Sequence, residues 1–230
     1  NNYEISTGVE SRLNDLKKSR SFRISGVPVT SSEISSYITL NWLTPQMDII
    51  ISGPESGRRK FFDRMIISFD SSHIGRLKKF EKLARERSKL IEKNYQDKSW
   101  LNIIERKMAE TGVAVIAARI NMASLLDKIM ANPTVDIFPP VRILWGGQVE
   151  EWMSMGPALD AEDKMTNHLK THRETYNINL CGPTQSILNI WHGKTGMTAE
   201  FCSTGQQKSI LVSMVLAYSN RVFSVISNTS

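Results

Sequence analysis

From Lys98 to Asn132 the chain runs thirty-five residues with no proline and a single glycine, Gly112. Within that stretch Leu101, Ile104, Met108, Val115, Ala118, Met122, Leu125 and Ile129 recur at alternating spacings of three and four, interrupted at Thr111. Such spacing gathers side chains onto one face of an α-helix and onto no face of a strand. At 1.5 Å per residue the helix would be roughly 50 Å long. Its seam is that of a coiled coil and asks for a partner. The segment Ile74 to Lys93 supplies a second helical pattern, and NYQDK (Asn94 to Lys98) reads as a polar turn with Asp97 placed to cap. The pair is therefore expected to form an antiparallel hairpin, entered by an earlier helix from Glu55 to Phe69.

Strand signals flank these helices. FRISGVPV (Phe22 to Val29) alternates and breaks at Gly26, SSEISSYI (Ser31 to Ile38) reads as a short serine-capped helix, and TLNWLTP (Thr39 to Pro45) as a buried strand. Beyond the long helix, Asn132 to Gly147 returns to strand, and Ala158 to Tyr176 reads as one more helix. SILNIWH (Ser186 to His192) and MTAEFC (Met197 to Cys202) read as further strands. The sequence thus predicts an α/β chain in three stretches. Residues 1–53 and 133–230 build a sheet-bearing head, and 54–132 form a helical insertion.

At 230 residues and 40% hydrophobic the chain can bury a substantial core. No apolar run approaches the ~20 residues that span a bilayer, and the opening NNYEIS lacks a secretory core, so a cytoplasmic location without membrane attachment is expected. Cys181 and Cys202 are too few for a disulfide framework and are expected as reduced thiols. The first residues read as the end of an element and RVFSVISNTS stops short of an expected strand, so the sequence is read as the middle of something longer.

Charge is unevenly placed. Arg58 to Lys93 holds twelve Lys or Arg against five Asp or Glu, so a net charge of +6 for the chain leaves the remainder at minus one. A concentrated basic excess points to a polyanion. Lys78, Lys82, Arg85, Lys89 and Lys93 fall in one helical stripe, opposite Leu77, Phe80, Ala84 and Ile91. Arg58, Arg59, Lys60 and Arg64 lie just upstream. A solvated outer face is the plainer reading of the stripe, and Arg59 could instead pair with Asp63 one turn on.

A second feature stands near the end, in CSTGQQKSILVSMVLA (Cys202 to Ala217). A polar, glycine-bearing hexad leads into a helix that is apolar on nearly every side. A helix N-terminus presents unpaired amide N–H groups and partial positive charge, which suit a phosphate. An ordinary serine-capped buried helix is the competing reading. Gly193-Lys194-Thr195 resembles the end of a phosphate loop, but Leu188 stands where its first glycine belongs, so a turn is expected. His168 and His172 lack the His-Glu pair of a zinc helix, and no metal site is expected. No nucleophile with a base at recognisable spacing is found.

The hexad, and CSTGQQK in particular, resembles the signature motif of ABC-type ATPases in the version carried by the SMC-like RecF family. GPESGRRKFFDRMIISFD (Gly53 to Asp70) resembles that family's G-P-x-x-R-R-x-F-L-D segment, with Arg58, Arg59, Phe61 and Asp63 matching and Phe62 replacing an aliphatic residue. WLTPQMD (Trp42 to Asp48), the E-R-x-x-L element at Glu86 to Leu90 and MAETGVAVIAARI (Met108 to Ile120) match as well. The resemblance implies part of an ABC-type ATPase head interrupted by a helical hairpin arm, with the phosphate loop and the acidic Mg2+-binding strand outside these residues. It implies that Ser203, Thr204, Gly205, Gln206 and Lys208 complete an ATP site in trans on a second copy. Arg58, Arg59, Lys60, Arg64, Lys78, Lys82, Arg85, Lys89 and Lys93 become candidates for DNA phosphates. The family's function is ATP-dependent binding at single-strand to double-strand DNA junctions, assisting recombinase loading with RecO and RecR in gap repair and the SOS response. Weak ATP hydrolysis would belong to the intact protein, and no catalytic residue is expected in this stretch. The alternative is a coiled-coil DNA-binding or scaffold protein that needs no nucleotide. One departure stands out, because the family's G-P-H-R-[SD]-D reads GPTQSI here, with Thr184, Gln185 and Ile187 in place of charged residues.

Overall fold

The structure, a computed structural model, describes residues 4–10, 19–34, 49–93, 98–131, 138–173 and 181–227. Three antiparallel strands come first, in the order β1 (Ile5–Glu10), β2 (Ser19–Ile24) and β3 (Val27–Val29). The expected turn at Gly26 is a tight hairpin, with Ser25 and Gly26 at φ 48° and 82°. Positive φ at both central residues matches the twist of the strands it joins. α1 (Ser31–Ile34) follows, and its cap is Thr30 rather than a serine. Thr30 Oγ1 accepts the Glu33 N–H at 3.2 Å, while the Glu33 carboxylate accepts the Thr30 N–H at 2.7 Å. β1 was not anticipated from the sequence. The strand expected at Thr39 to Pro45, the end of SSEISSYI and the Asp97 turn lie outside the described residues.

Four helices follow: α2 (Ile49–Ser52), α3 (Glu55–Ile67), α4 (Ser72–Glu92) and α5 (Lys98–Ala131). The expected hairpin is formed by α4 and α5, with α4 packed against the N-terminal half of α5. The single seam is not what α5 presents. Ala109, Val113, Ile116, Ala123, Leu126 and Met130 are as buried as the seam positions, whereas Ala118, Leu125 and Ile129 are only partly covered. The reason is that α5 has different neighbours along its length.

Those neighbours are β4 (Val141–Gly146), α6 (Gln148–Met155), α7 (Ala158–Thr171), β5 (Ile187–His192) and α8 (Thr204–Ser227). The N-terminal half of α5 places Ile104, Met108, Val113 and Ile116 in a cluster with Phe80 of α4 and Ala161, Met165 and Leu169 of α7. Its C-terminal half places Met122, Ala123, Leu126 and Met130 in a second cluster with Phe62 and Ile66 of α3, the β4–β5 pair, and Ile210 and Met214 of α8. Both clusters draw on residues from either side of position 132. The β4–β5 ladder sets Val141, Ile143 and Trp145 opposite His192, Ile190 and Leu188, all facing inward.

MTAEFC is not a strand. Thr198 bridges once to Trp191, and Ala199–Phe201 then close into a 3₁₀ turn through Phe201 N–H to Thr198 O at 3.0 Å, with Gln207 of α8 holding the Ala199 and Glu200 carbonyls. The Gly193-Lys194-Thr195 turn is as expected, closed by Gly196 N–H to His192 O at 2.8 Å. Among the described residues no helix is long and apolar enough to cross a membrane. Both cysteines are free and buried, and burial pushes the Cys181 thiol up to about 12.

Between the two clusters lies a buried ionic joint. Arg119 of α5 grips Asp63 of α3 through Nε at 2.8 Å and Nη2 at 2.7 Å, and donates Nη1 to Pro183 O at 2.6 Å. His73 of α4 reaches the same carboxylate at 2.9 Å. Burial alone would raise the Asp63 pKa, but the hydrogen bonds from Arg119 and His73 outweigh it and hold the carboxyl below its ordinary value. Asp63→Asn should cost about 3–5 kcal/mol at pH 7, since it leaves a buried cation uncompensated. A depressed carboxylate stabilises fully above its unfolded pKa of about 3.9 and loses that contribution as pH falls through its lower folded value. Urea unfolding of both proteins should therefore show the gap narrowing below about pH 4.

Candidate functional site

The tip of α8 is built from its own sequence. Ser203 is the cap: its Oγ accepts the Gln206 N–H at 3.3 Å, and the Gln206 side-chain carbonyl accepts the Ser203 N–H at 2.9 Å. This reciprocal box leaves the Thr204 and Gly205 amides, which have no intrahelical partner, facing outward. Ser203, Thr204, Gly205 and Lys208 are exposed. A Cβ built on Gly205 meets nothing within 4 Å, so the space beside that residue is open. Gln206, expected among the ligand contacts, is instead turned back onto the cap.

Behind the tip the helix is fixed. Ile210, Leu211, Met214, Ala217 and Tyr218 are buried, Ser213 donates to Pro139 O at 2.9 Å, and Tyr218 meets Phe69 edge-on at 5.5 Å. Gln207, which sequence reasoning passed over, donates Nε2 to Ala199 O and Glu200 O at 3.1 Å each. Its signal was only that a polar residue sits on the inner face of an apolar helix. Rigid amides aimed at open space can hold a phosphate without reorganising.

The basic candidates divide. Lys78, Lys82, Arg85, Lys89 and Lys93 are all exposed along α4, with Phe80 and Ala84 buried on the other side as expected. Arg85 has one weak ion pair, to Glu81 at 3.8 Å. Lys60 and Arg64 are exposed on α3. Arg58 is a correction: it is 5% exposed and cannot reach a polyanion. Its guanidinium pairs with Glu55 and with Glu200 at 2.6 Å, and donates to the Ile51 and Gly53 carbonyls. Arg87 is likewise buried, on Glu105 at 3.0 Å and Leu169 O at 2.6 Å. The segment's basic surplus is therefore smaller at the surface than in the sequence.

Arg59 does not take Asp63, which Arg119 occupies; it is half-buried and donates to Ser186 O at 2.9 Å. With Lys60, Arg64 and Lys78 it lines a groove of about 460 Å³ between α3 and α4. Burial first, and then the Arg119 cation nearby, hold the Arg59 pKa below the usual guanidinium range. Thr184 lines the same groove, at the departure from the family motif. The preceding Gly182 has φ 107°, and a Cβ there would come within 2.9 Å of Met165, so glycine is required.

His168 and His172 stack at 4.1 Å, with His172 Nδ1 against His168 O. Among the described residues no group of three His, Cys, Asp or Glu could hold a metal ion.

No family model matches the chain. Curated sequences do. The DNA replication and repair protein RecF of Rhizobium etli is 37% identical over 224 residues, covering 95% of this chain and 59% of that protein. That of Mesorhizobium japonicum is 36% identical over 220 residues, covering 94% and 58%. The chain is a RecF relative. It spans under two thirds of the length of the RecF proteins it matches. Two solved RecF structures share the fold. The recombination mediator protein RecF-ATPrS in the RecFOR pathway superposes with a TM-score of 0.80 at 19% identity, covering 95% of this chain and 60% of that one. RecF-ATP in the same pathway gives 0.72 at 20% identity, covering 87% and 56%. The α/β arrangement described above, with its α4–α5 hairpin, is thus part of the ATPase head fold of RecF.

The capping box gives this RecF-like tip its shape. Ser203→Ala should lower stability by about 0.5–2 kcal/mol. Lys82→Ala, on an exposed face, should change it by less than about 0.5 kcal/mol. Urea denaturation of the two variants checks both values.

Proposed function

We propose that this chain is part of an ATP-dependent DNA-binding protein of replication and repair. In this reading it clamps single-strand to double-strand junctions and assists recombinase loading in gap repair and the SOS response. The observation that carries the proposal is the pairing, in one RecF-like chain, of an open and rigidly backed helix tip with an exposed basic face. Two copies would close on DNA, each offering Ser203 and the Thr204 and Gly205 amides to a γ-phosphate held by the other. ATP supplies the negative charge that joins them. Mg2+ accompanies the nucleotide, and RecO and RecR are the partners the family reading implies. The setting is cytoplasmic.

For DNA, α4 supplies the main contact. Its stripe from Lys78 to Lys93 extends about 22 Å at 1.5 Å per residue, long enough to follow several phosphates of one strand. Lys60, Arg64 and Arg59 extend it into the α3–α4 groove. None of these groups reads bases; they position a duplex through its backbone.

The test is fluorescence anisotropy with gapped duplex DNA, with and without ATP, across a salt series. The five groups of the α4 stripe should contribute about −4.5 per copy to the log–log salt slope, and Lys82→Ala with Lys89→Ala should reduce that contribution by about 1.8. ATP should tighten binding and Ser203→Arg should abolish that gain. Strong, salt-sensitive binding indifferent to ATP and to Ser203→Arg would instead establish the nucleotide-independent alternative.

A further inference from the structure

Arg58 lies between the two halves of the candidate site. On one side it belongs to α3, whose outer face carries Lys60 and Arg64 and whose next residue, Arg59, lines the groove. On the other side its Nη2 meets Glu200 at 2.6 Å, in the 3₁₀ turn that runs into the α8 cap. That turn is also held from α8 itself, by Gln207 Nε2 on the Ala199 and Glu200 carbonyls. An unbroken set of polar contacts therefore runs from the tip helix through Glu200 and Arg58 to the groove helix. The same α3 turn has a second hold on the neighbouring strand, where Glu55 accepts the Leu188 N–H at 3.4 Å and Arg59 donates to Ser186 O.

The balance of burial across this link is uneven. Arg58 is buried, with Glu55, Ile51 O and Gly53 O fixing its guanidinium from α2, α3 and the link between them. Glu200 is 48% exposed and sits on a three-residue turn. The arginine end is rigid and the carboxylate end can yield. A cavity of about 170 Å³ lined by Glu55, Arg58, Thr198 and Glu200 gives the turn room to shift.

We propose that the Arg58–Glu200 pair is a positioning strut through which occupancy of the α8 tip and occupancy of the α3–α4 groove influence one another. Arg58 thus leaves the set of phosphate contacts and takes a role between them. The proposal rests on the reading of the tip as a nucleotide contact and the groove as a DNA contact. A load on the tip displaces the 3₁₀ turn, the turn pulls or releases Arg58, and α3 carries the change to Arg59, Lys60 and Arg64. By linkage the effect is reciprocal, so DNA must tighten ATP by the factor by which ATP tightens DNA.

The experiment measures that factor in the intact protein, with gapped duplex DNA titrated at zero and saturating ATP, and a fluorescent ATP analogue titrated with and without DNA. Wild type is compared with Glu200→Gln, which keeps the shape and removes the charge, with Glu200→Asp, and with Arg58→Lys. Glu200→Gln should bring the coupling factor at least fivefold closer to one, while each ligand alone binds within about twofold of wild type and the melting temperature hardly moves. Glu200→Asp should restore part of the coupling. Arg58→Lys should lose it as Glu200→Gln does, and the double variant should lose no more than either single one. A coupling factor unchanged in Glu200→Gln, with wild type responding to ATP, overturns the strut alone. A wild type whose DNA affinity ignores ATP overturns the strut together with the nucleotide reading beneath it.

Discussion

The structure depends on the bidentate grip of Arg119 on Asp63. α5 is one unbroken helix serving two hydrophobic clusters, and apolar contact alone would leave its register against α3 loosely set. A planar guanidinium meeting both carboxylate oxygens at 2.7–2.8 Å tolerates little sliding. The same cation lies 4.9 Å from the Trp145 ring centroid and donates to Pro183 O, so β4 and the 181–186 turn are referred to one atom group. Burying these charges is costly, and the pair persists because nearly every polar atom in it is met. Its contribution is one of register more than of net stability.

That register decides which arginines face water. Successive residues on α3 are turned by about 100°, so fixing Asp63 inward fixes the direction of all its neighbours. Phe62 packs beside it against Trp145, edge-on at 5.3 Å, and Arg58 points into the carboxylates of Glu55 and Glu200. Lys60 and Arg64 then have no choice but the opposite side, toward α4. The groove's positive lining is a geometric consequence of a buried anion one turn away.

Legibility from sequence followed how local the physics was. The α3, α4 and α5 helices, the Ser25-Gly26 turn and the Ser203 cap each depend on residues within a few positions of one another, and each could be read. What failed depended on distant partners. Arg58, Arg59 and Lys60 are adjacent and chemically alike, yet one is buried, one half-buried and one exposed, because Glu200 and Ser186 O wait far along the chain. MTAEFC carries a strand's alternation, but backbone bonds from Phe201 to Thr198 and from Cys202 to Ala199 close it into a 3₁₀ turn that the side chain of Gln207, far along the chain, braces. The second buried face of α5 was hidden for the same reason: alanines and a glycine at positions 109, 112 and 123 look neutral until α7, β4 and Pro183 are packed against them. QVEEWMSM, the α6 helix, is too short for its period to stand out.

The GPTQSI segment acquires meaning from the same geometry. It lies against the groove, where Thr184 is a lining residue, but it contributes no charge there. The Thr184 hydroxyl is buried without a partner among the described residues, and Ser186 stands beside Glu150, whose pKa burial raises against the pull of that hydroxyl and of Arg119. The groove's accessible cations therefore come from α3 and α4 alone. On the third wall this chain has the Thr184 hydroxyl and no charged side chain from GPTQSI. A polyanion seated here would be held from two helices whose relative position is set by Asp63, His73 and Arg119. Any change in that joint should reach the ligand undiluted, because no charged group on the third wall shares the contact.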